Sequence, residues 1–186
     1  MFLTSCQSTK NATGSVSRPS SQNSQGTSNS SPALSSSQTT NPVQTKIDEE
    51  YARSVNTVNV SKSKFTEDKA EIMRIIGELD TVMSKNDFST WKSYIDNESI
   101  TYWSSPKNLS KASGMLPVKG LKMTNLKDYF THVFVPSRRG RKVDEIRYTS
   151  PLDVKAVQVN RDTDIIYYYF RKVGNKWYVT LPPLSN

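Results

Sequence analysis

The first clear pattern along the chain is a long segment in which apolar residues recur at helical spacing. Placed 100° apart, six apolar side chains of residues 65–87 share one arc of about 120°. They are Ile72, Ile75, Ile76, Leu79, Val82 and Met83. The pattern predicts an amphipathic helix lying on an apolar surface, with Thr66 as its N-cap and with Glu67 and Asp68 at its positive end.

Two shorter helices are predicted around a less regular region. Asp87 can cap a second helix over 88–95, and Thr124 can cap a third over 125–134, which Pro136 ends. The buried face of the third helix is predicted to hold Leu126, Tyr129, Phe130, Val133 and Phe134. Between these helices, "ESITYW" is typical of a strand, and the Ser-, Lys-, Gly- and Pro-rich residues 104–123 indicate a long loop.

From Val143 onward the apolar period changes to two. The segments "VDEIRYT", "DVKAVQV", "TDIIYYYFRKV" and "KWYVTLP" predict four strands, with Gly174-Asn175 as the last hairpin turn. Helices followed by an antiparallel meander are typical of the α+β class. We therefore expect three N-terminal helices packed on one face of a curved antiparallel sheet.

Composition separates an N-terminal segment from this domain. Of the 40 residues from Gln7 to Lys46, 27 are Ser, Thr, Asn or Gln. So little apolar surface cannot offset the cost of ordering the backbone, which predicts a disordered linker over 7–46. A flexible coil of this length has an r.m.s. span of roughly 35 Å. We expect a transitional segment at 47–64 and a single domain over 65–186.

Charge is concentrated in the second half of the chain. The net charge is +8, and residues 102–186 hold 15 Lys or Arg against 6 Asp or Glu. Within "PSRRGRK", Arg138, Arg139, Arg141 and Lys142 form either a solvated turn or a contact for phosphate, acidic glycan or anionic lipid headgroups. No nucleic-acid motif is present, so nucleic acid is not an expected partner.

Cys6 is the only cysteine, which excludes an intrachain disulfide and a multi-cysteine zinc site. The stretch Leu3-Thr4-Ser5-Cys6 resembles the bacterial lipobox. The resemblance implies a signal peptide, acyl chains such as palmitate on Cys6, and attachment to a membrane of the cell envelope. Only Met1 and Phe2 precede Leu3, fewer residues than the apolar part of a signal peptide. The alternative is a lone thiol on a cytosolic protein.

The order of predicted elements, ending in "GNKWYVT", resembles the cone-shaped nuclear transport factor 2-like family over residues 65–184. That family includes ketosteroid isomerase and polyketide-cyclase relatives. The rival is a cystatin-like or other helix-on-sheet domain. With its lipobox-like stretch and its Ser-rich tether, the chain also resembles uncharacterised lipoproteins of spirochaetes.

The resemblance implies an Asp, Glu or His general base inside the cone. Strand parity places Asp144 with Ile146 and Tyr148, which makes it a weak catalytic candidate, whereas His132 lies off the buried helix face. An aromatic interior is expected, which suits an apolar or planar ligand or simply a filled core. The pocket candidates are Trp91, Trp103, Tyr148, Tyr168 and Trp177. We predict no metal site and no cofactor.

The sequence therefore favours a lipid-anchored envelope protein whose domain is a binding or interaction module for a ligand that the sequence does not identify. Its expected partners are the membrane, through Cys6, and then anionic lipid, acidic glycan or an envelope protein. One alternative is a small-molecule enzyme of the isomerase or cyclase kind on the same fold. Another is a cytosolic polyanion-binding protein.

Overall fold

The computed structural model describes residues 42–118, 120–161 and 163–185. Cys6 and the linker residues before Pro42 lie outside this part of the chain. The described residues form helices, a π-helical turn and one four-stranded antiparallel sheet. The helices are α1 (Pro42–Val55), α2 (Lys62–Ser84), α3 (Phe88–Ser93), α4 (Asn97–Trp103), α5 (Pro106–Met115), α6 (Leu126–Tyr129) and α7 (Val135–Arg138). The strands are β1 (Glu145–Ser150), β2 (Asp153–Gln158), β3 (Ile165–Val173) and β4 (Lys176–Thr180).

The long amphipathic helix is α2, and all six apolar residues predicted for its buried arc are buried. The helix starts earlier than predicted. Its N-cap is Ser61, whose hydroxyl accepts a hydrogen bond from the backbone N–H of Lys64 at 3.2 Å. Thr66 is therefore not the cap, and its hydroxyl donates to the carbonyl of Lys62 inside the first turn.

Two predictions for residues 98–123 are wrong. The expected strand "ESITYW" belongs to helix α4, because Asp96 caps the backbone N–H of Ser99 and the strand-prone side chains pack on helical faces. The expected loop contains helix α5, which begins with Pro106 in its first turn, where proline is tolerated. The domain therefore has more helices than the three expected, and the first strand of the predicted order is absent.

The third predicted helix continues beyond its predicted end. Asn125 rather than Thr124 is its N-cap and forms a capping box with Asp128. Residues 126–138 then run through α6, a π-helical turn (Phe130–Phe134) and α7. Pro136 lies in the first turn of α7, so it does not end the helix, because the wider turn before it changes the hydrogen-bond register.

The sheet confirms the predicted meander. Its strand order is β1-β2-β3-β4, and Gly174, at φ 60°, forms the last hairpin turn. The side chains on the inner face are buried against the helices: Ile146, Tyr148, Val154, Ala156, Tyr168, Phe170, Trp177 and Val179. The side chains of Arg147, Lys155, Tyr169 and Tyr178 point the other way and are partly exposed.

Both edges of the sheet are covered. The guanidinium of Arg53 in α1 donates to Glu145 at 2.8 Å, and the hydroxyl of Ser54 donates to the backbone carbonyl of Ile146 in β1. At the other edge, the backbone N–H of Val179 donates to the carbonyl of Tyr94 at 2.8 Å. Because α1 begins at Pro42, its first turn lies in the segment that was predicted to be linker.

Candidate functional site

A buried carboxylate lies at the centre of the domain and was missed by the sequence interpretation. Asp68 in α2 is 3% exposed. It accepts hydrogen bonds from Tyr148 Oη at 2.9 Å, from Trp177 Nε1 at 3.0 Å and from Lys172 Nζ at 2.9 Å. Lys64, one turn earlier in α2, forms a further ion pair with it. We call these five residues the Asp68 cluster.

The Asp68 cluster holds the carboxylate in its ionised form. Burial alone raises the pKa of Asp68, but the hydrogen bonds from Lys64, Lys172, Trp177 and Tyr148 outweigh it, so the pKa lies below its usual range. Burial and the neighbouring carboxylate raise the pKa of Tyr148, which stays protonated. Three of the donors lie on strands, so the cluster links α2 to β1, β3 and β4. Its hydrogen bonds are all made within the domain, so its role is structural rather than catalytic.

The five aromatic pocket candidates are all buried in the core. The ring of Trp91 lies 4.9 Å from that of Phe130 and 5.2 Å from that of Phe134, and the ring of Trp103 lies 4.3 Å from that of Tyr129. Such centroid separations are those of rings in contact. None of the five candidates lines either of the two surface cavities described below. These side chains therefore fill the core of the described domain rather than line a cavity.

Asp144 directly precedes β1, and its hydrogen-bond and ion-pair partners make it a poor general base. Its carboxylate pairs with Lys142 Nζ at 2.9 Å and accepts the backbone N–H of Val159 at 3.1 Å. These contacts, the one to Lys142 foremost, lower the pKa of Asp144. A general base at neutral pH requires the opposite shift. His132 is exposed on its helix.

Arg138, the first residue of the predicted basic cluster, is turned toward the core. Its Nε donates to the backbone carbonyl of Tyr167 at 2.9 Å, and its guanidinium lies 4.1 Å from the centre of the Phe134 ring. Burial lowers its pKa. Because the Arg138 guanidinium already contacts the Tyr167 carbonyl and the Phe134 ring, it is poorly placed to bind an external anion.

The other three residues of the basic cluster are exposed but are not equivalent. Arg139 Nη2 donates to the carbonyl of Met83 at 2.7 Å, which satisfies the C-terminal end of α2. Lys142 is paired with Asp144, and Arg141 extends into solvent. The structure therefore does not bring the four cations together as one anion site.

A groove of about 550 Å³ lies between the α3–α4 connection and the β3–β4 hairpin. Its apolar lining is Ile95, Ile100, Val173 and Tyr178. Its rim is charged: Lys92 is exposed, and Arg171 pairs with Asp153 at 2.9 Å and with Glu98 at 3.0 Å. Apolar walls with a few polar groups and a volume of this size are typical of sites for small ligands.

A second and shallower depression of about 610 Å³ lies between α1, β1 and the connection from β2 to β3. Its charged groups are already paired. Arg147 bonds to Asp164 at 3.0 Å and to Glu145 at 2.7 Å, and Arg53 bonds to the same Glu145. The groove beside α4 is therefore the better candidate for a ligand site.

The part of the chain that the structure describes has neither a cluster of metal-binding side chains nor a helix that could span a membrane. No three His, Cys, Asp or Glu side chains there are close enough to hold a metal ion. No helix there is both long and apolar enough to cross a bilayer.

Comparison with known proteins gives one informative similarity. The chain is 31% identical over 121 residues to an uncharacterized lipoprotein of Treponema pallidum (strain Nichols). The match spans 65% of this chain and 65% of the relative, so it covers slightly less than two thirds of the relative's length. No protein-family profile and no solved structure matches the chain. The resemblance to nuclear transport factor 2-like domains thus stays a prediction.

Proposed function

We propose that this protein is a lipid-anchored protein of a bacterial cell envelope, held by acyl chains on Cys6, whose α+β domain is a binding module. The observation that supports it best is the similarity to a protein named a lipoprotein. The stretch Leu3-Thr4-Ser5-Cys6 agrees with it, because it supplies the cysteine that such a modification needs. Two or three acyl chains, at roughly 0.8 kcal/mol per buried methylene, make attachment effectively permanent.

The binding site of this module is the groove beside α4. Ile95, Ile100 and Tyr178 provide apolar walls, and the exposed Lys92 provides a cation without an ion-pair partner among the described residues. Arg171 is already held by two carboxylates. The groove therefore suits a ligand with an apolar body and a single anionic group directed at Lys92.

An enzymatic role has less support. The pKa of Asp144 is lowered, and Asp68 is fully engaged by protein donors. Among the described carboxylates with a clear pKa shift, only that of Asp80 is raised, by burial, and Asp80 does not line the groove. We keep the resemblance to nuclear transport factor 2-like domains as a proposal, supported by helices that precede a four-stranded meander. The segment "ESITYW", expected as the first strand of that fold, is helical in this chain.

The anchor is tested by placing residues from Leu3 onward behind the charged and apolar parts of a bacterial signal peptide. The bacterial host is fed an alkyne-labelled fatty acid. We expect label on the protein and partition into the detergent phase, both abolished by Cys6→Ser. Ser8→Ala, two residues away, is the matched control and should behave as wild type. Equal labelling of the Cys6→Ser protein would contradict the proposal.

The groove is tested separately by thermal melts against a panel of amphiphilic anions. A genuine ligand should raise the melting temperature of the wild type and lose this effect in Ile100→Trp, which fills the groove. Leu152→Trp adds the same ring at an exposed turn and should keep the effect. A ligand whose effect survives Ile100→Trp binds elsewhere and would refute this site.

A further inference from the structure

A second surface of the domain, separate from the groove, combines positive charge with exposed apolar side chains. Between Ser104 and Tyr129 the sequence has five lysines and a single acidic residue, Asp128. The same segment holds two of the most exposed large apolar residues of the described chain, Met115 at 64% and Val118 at 61%. Positive charge beside exposed apolar groups is the combination by which amphipathic segments bind membrane surfaces.

Helix α5 arranges part of this surface as a stripe. Lys107, Lys111 and Met115 follow at i, i+4 and i+8, so they lie one above another on the same helix face. The opposite side holds Leu109 and Ala112, which are buried in the core. The orientation of α5 is therefore fixed by its buried side, and the stripe faces solvent.

Beyond the loop that follows α5, Met123 is hydrogen-bonded back to that helix. The backbone N–H of Met123 donates to Ser113 Oγ at 2.8 Å, and that hydroxyl donates to the carbonyl of Leu109 at 2.8 Å. Met123 is itself buried. Met123 is thus held against Ser113 of α5, and the exposed Val118 lies between these two residues in the sequence.

The cations of this surface have no internal counterions. Among the described residues no carboxylate forms an ion pair with Lys107, Lys111, Lys122 or Lys127. Asp128, the one acidic residue nearby, is occupied by the backbone N–H groups of the capping turn before α6. The positive charge is therefore available to an external partner.

We propose that Lys107, Lys111, Met115, Val118 and Lys122 form a docking surface for an anionic lipid bilayer. The lysines meet the phosphate groups, and the two apolar side chains enter the boundary between headgroups and acyl chains. Charge complementarity selects an acidic partner. The exposed pair Met115 and Val118, which we call the apolar tip, selects a bilayer over an acidic polymer, which offers no apolar interior. This contact does not require the acyl chains on Cys6. It would fix the orientation of the domain on the membrane, which a covalent anchor alone does not do.

The test uses the full chain carrying Cys6→Ser, so that no acyl anchor contributes. Co-sedimentation is measured with vesicles of phosphatidylglycerol and phosphatidylcholine and with vesicles of phosphatidylcholine alone. We expect binding to the anionic vesicles that weakens steeply with salt. Lys107→Gln with Lys111→Gln should weaken it about 25-fold, because each basic residue near the surface contributes about fivefold.

The apolar tip is tested by Met115→Ser with Val118→Ser, which should weaken vesicle binding by at least about tenfold and leave retention on heparin unchanged. Two control variants change similar side chains elsewhere: Lys46→Gln with Lys176→Gln, and Leu152→Ser. Both should bind vesicles as the parent does, and circular dichroism checks that every variant is folded.

Two results would overturn the proposal. Equal binding to neutral and anionic vesicles would remove the role of charge. Loss of heparin and vesicle binding in the lysine variant, with normal vesicle binding in the tip variant, would assign the surface to an acidic polymer instead. Because the tested chain carries no anchor, neither result bears on the lipidation of Cys6.

Discussion

Replacing Asp68 by Asn should destabilise the domain by about 3 to 5 kcal/mol at pH 7. Asn keeps the shape of the side chain but removes the charge that four donors surround. The ammonium of Lys172, whose side chain is 15% exposed, then loses its counterion. Breaking a buried pair by removing one partner typically costs this much, because the remaining charge stays buried without compensation.

The dependence on pH provides a sharper test of the same reasoning. The pKa of Asp68 in the folded protein lies below its usual value of 3.8. Its contribution to stability is therefore complete above the pKa of the unfolded chain and is lost as the pH falls through the lower, folded pKa. The difference between wild type and Asp68→Asn should be constant from about pH 5 to 8 and should shrink below about pH 4.

Urea denaturation followed by circular dichroism measures both effects. With an m-value of about 2 kcal/mol/M, the expected loss lowers the midpoint by about 2 M. Asp80→Asn is the matched control, since Asp80 lies on the same helix but forms no ion pair or side-chain hydrogen bond among the described residues, so it should change stability by less than about 0.5 kcal/mol. A loss below about 1 kcal/mol for Asp68→Asn, or a difference that grows in acid, would refute the account of the Asp68 cluster.

Substitutions at three further positions test the remaining parts of the structure by the same denaturation assay. Trp91→Ala should cost about 3 to 5 kcal/mol because the ring is fully buried, whereas Trp91→Phe should cost less, since the indole N–H has no acceptor among the described residues. Asp144→Asn should stay within about 0.5 kcal/mol, because its pair with Lys142 is at the surface; a larger loss would give Asp144 a role beyond that pair. Asp96→Ala should cost about 1 to 2 kcal/mol through the lost cap on Ser99, and no loss would show that the cap is dispensable.

Much of the fold could be predicted because burial follows the period of the apolar residues. The arc of α2 and the inward parity of Ile146 and Tyr148 are both present in the structure. The cap at Asp87 is also confirmed, since its carboxylate accepts the N–H of Thr90 at 3.0 Å. These features depend on residues close together in the sequence, so a local pattern is sufficient to find them.

Helix α4 could not be predicted in the same way, because its local preference points to a strand. Ile100, Thr101, Tyr102 and Trp103 all favour strands. The helix is fixed instead by the cap at Asp96 and by tertiary contacts that a local pattern does not contain. Long-range context overrides intrinsic preference in such short segments.

The Asp68 cluster was partly visible in the sequence and could have been recognised. Asp68 lies at the centre of the apolar arc, four residues before Ile72, and Lys172 shares its strand face with Tyr168 and Phe170. Two opposite charges on two buried faces indicate an internal ion pair. Their meeting, however, joins residues 104 positions apart, and only the three-dimensional fold brings them together.

The position of α1 over the edge of β1 sets an order of events in folding. Arg53 reaches Glu145 across 92 residues, so this contact forms only after that long loop has closed. An isolated helix of 14 residues is marginal in water, which means that α1 gains its order from tertiary contacts, some with the nearby α2 and some with a strand made much later by the ribosome. Until α1 docks, the backbone edge of β1 is open to another chain. We therefore expect that removing α1 would lower the refolding yield at high protein concentration.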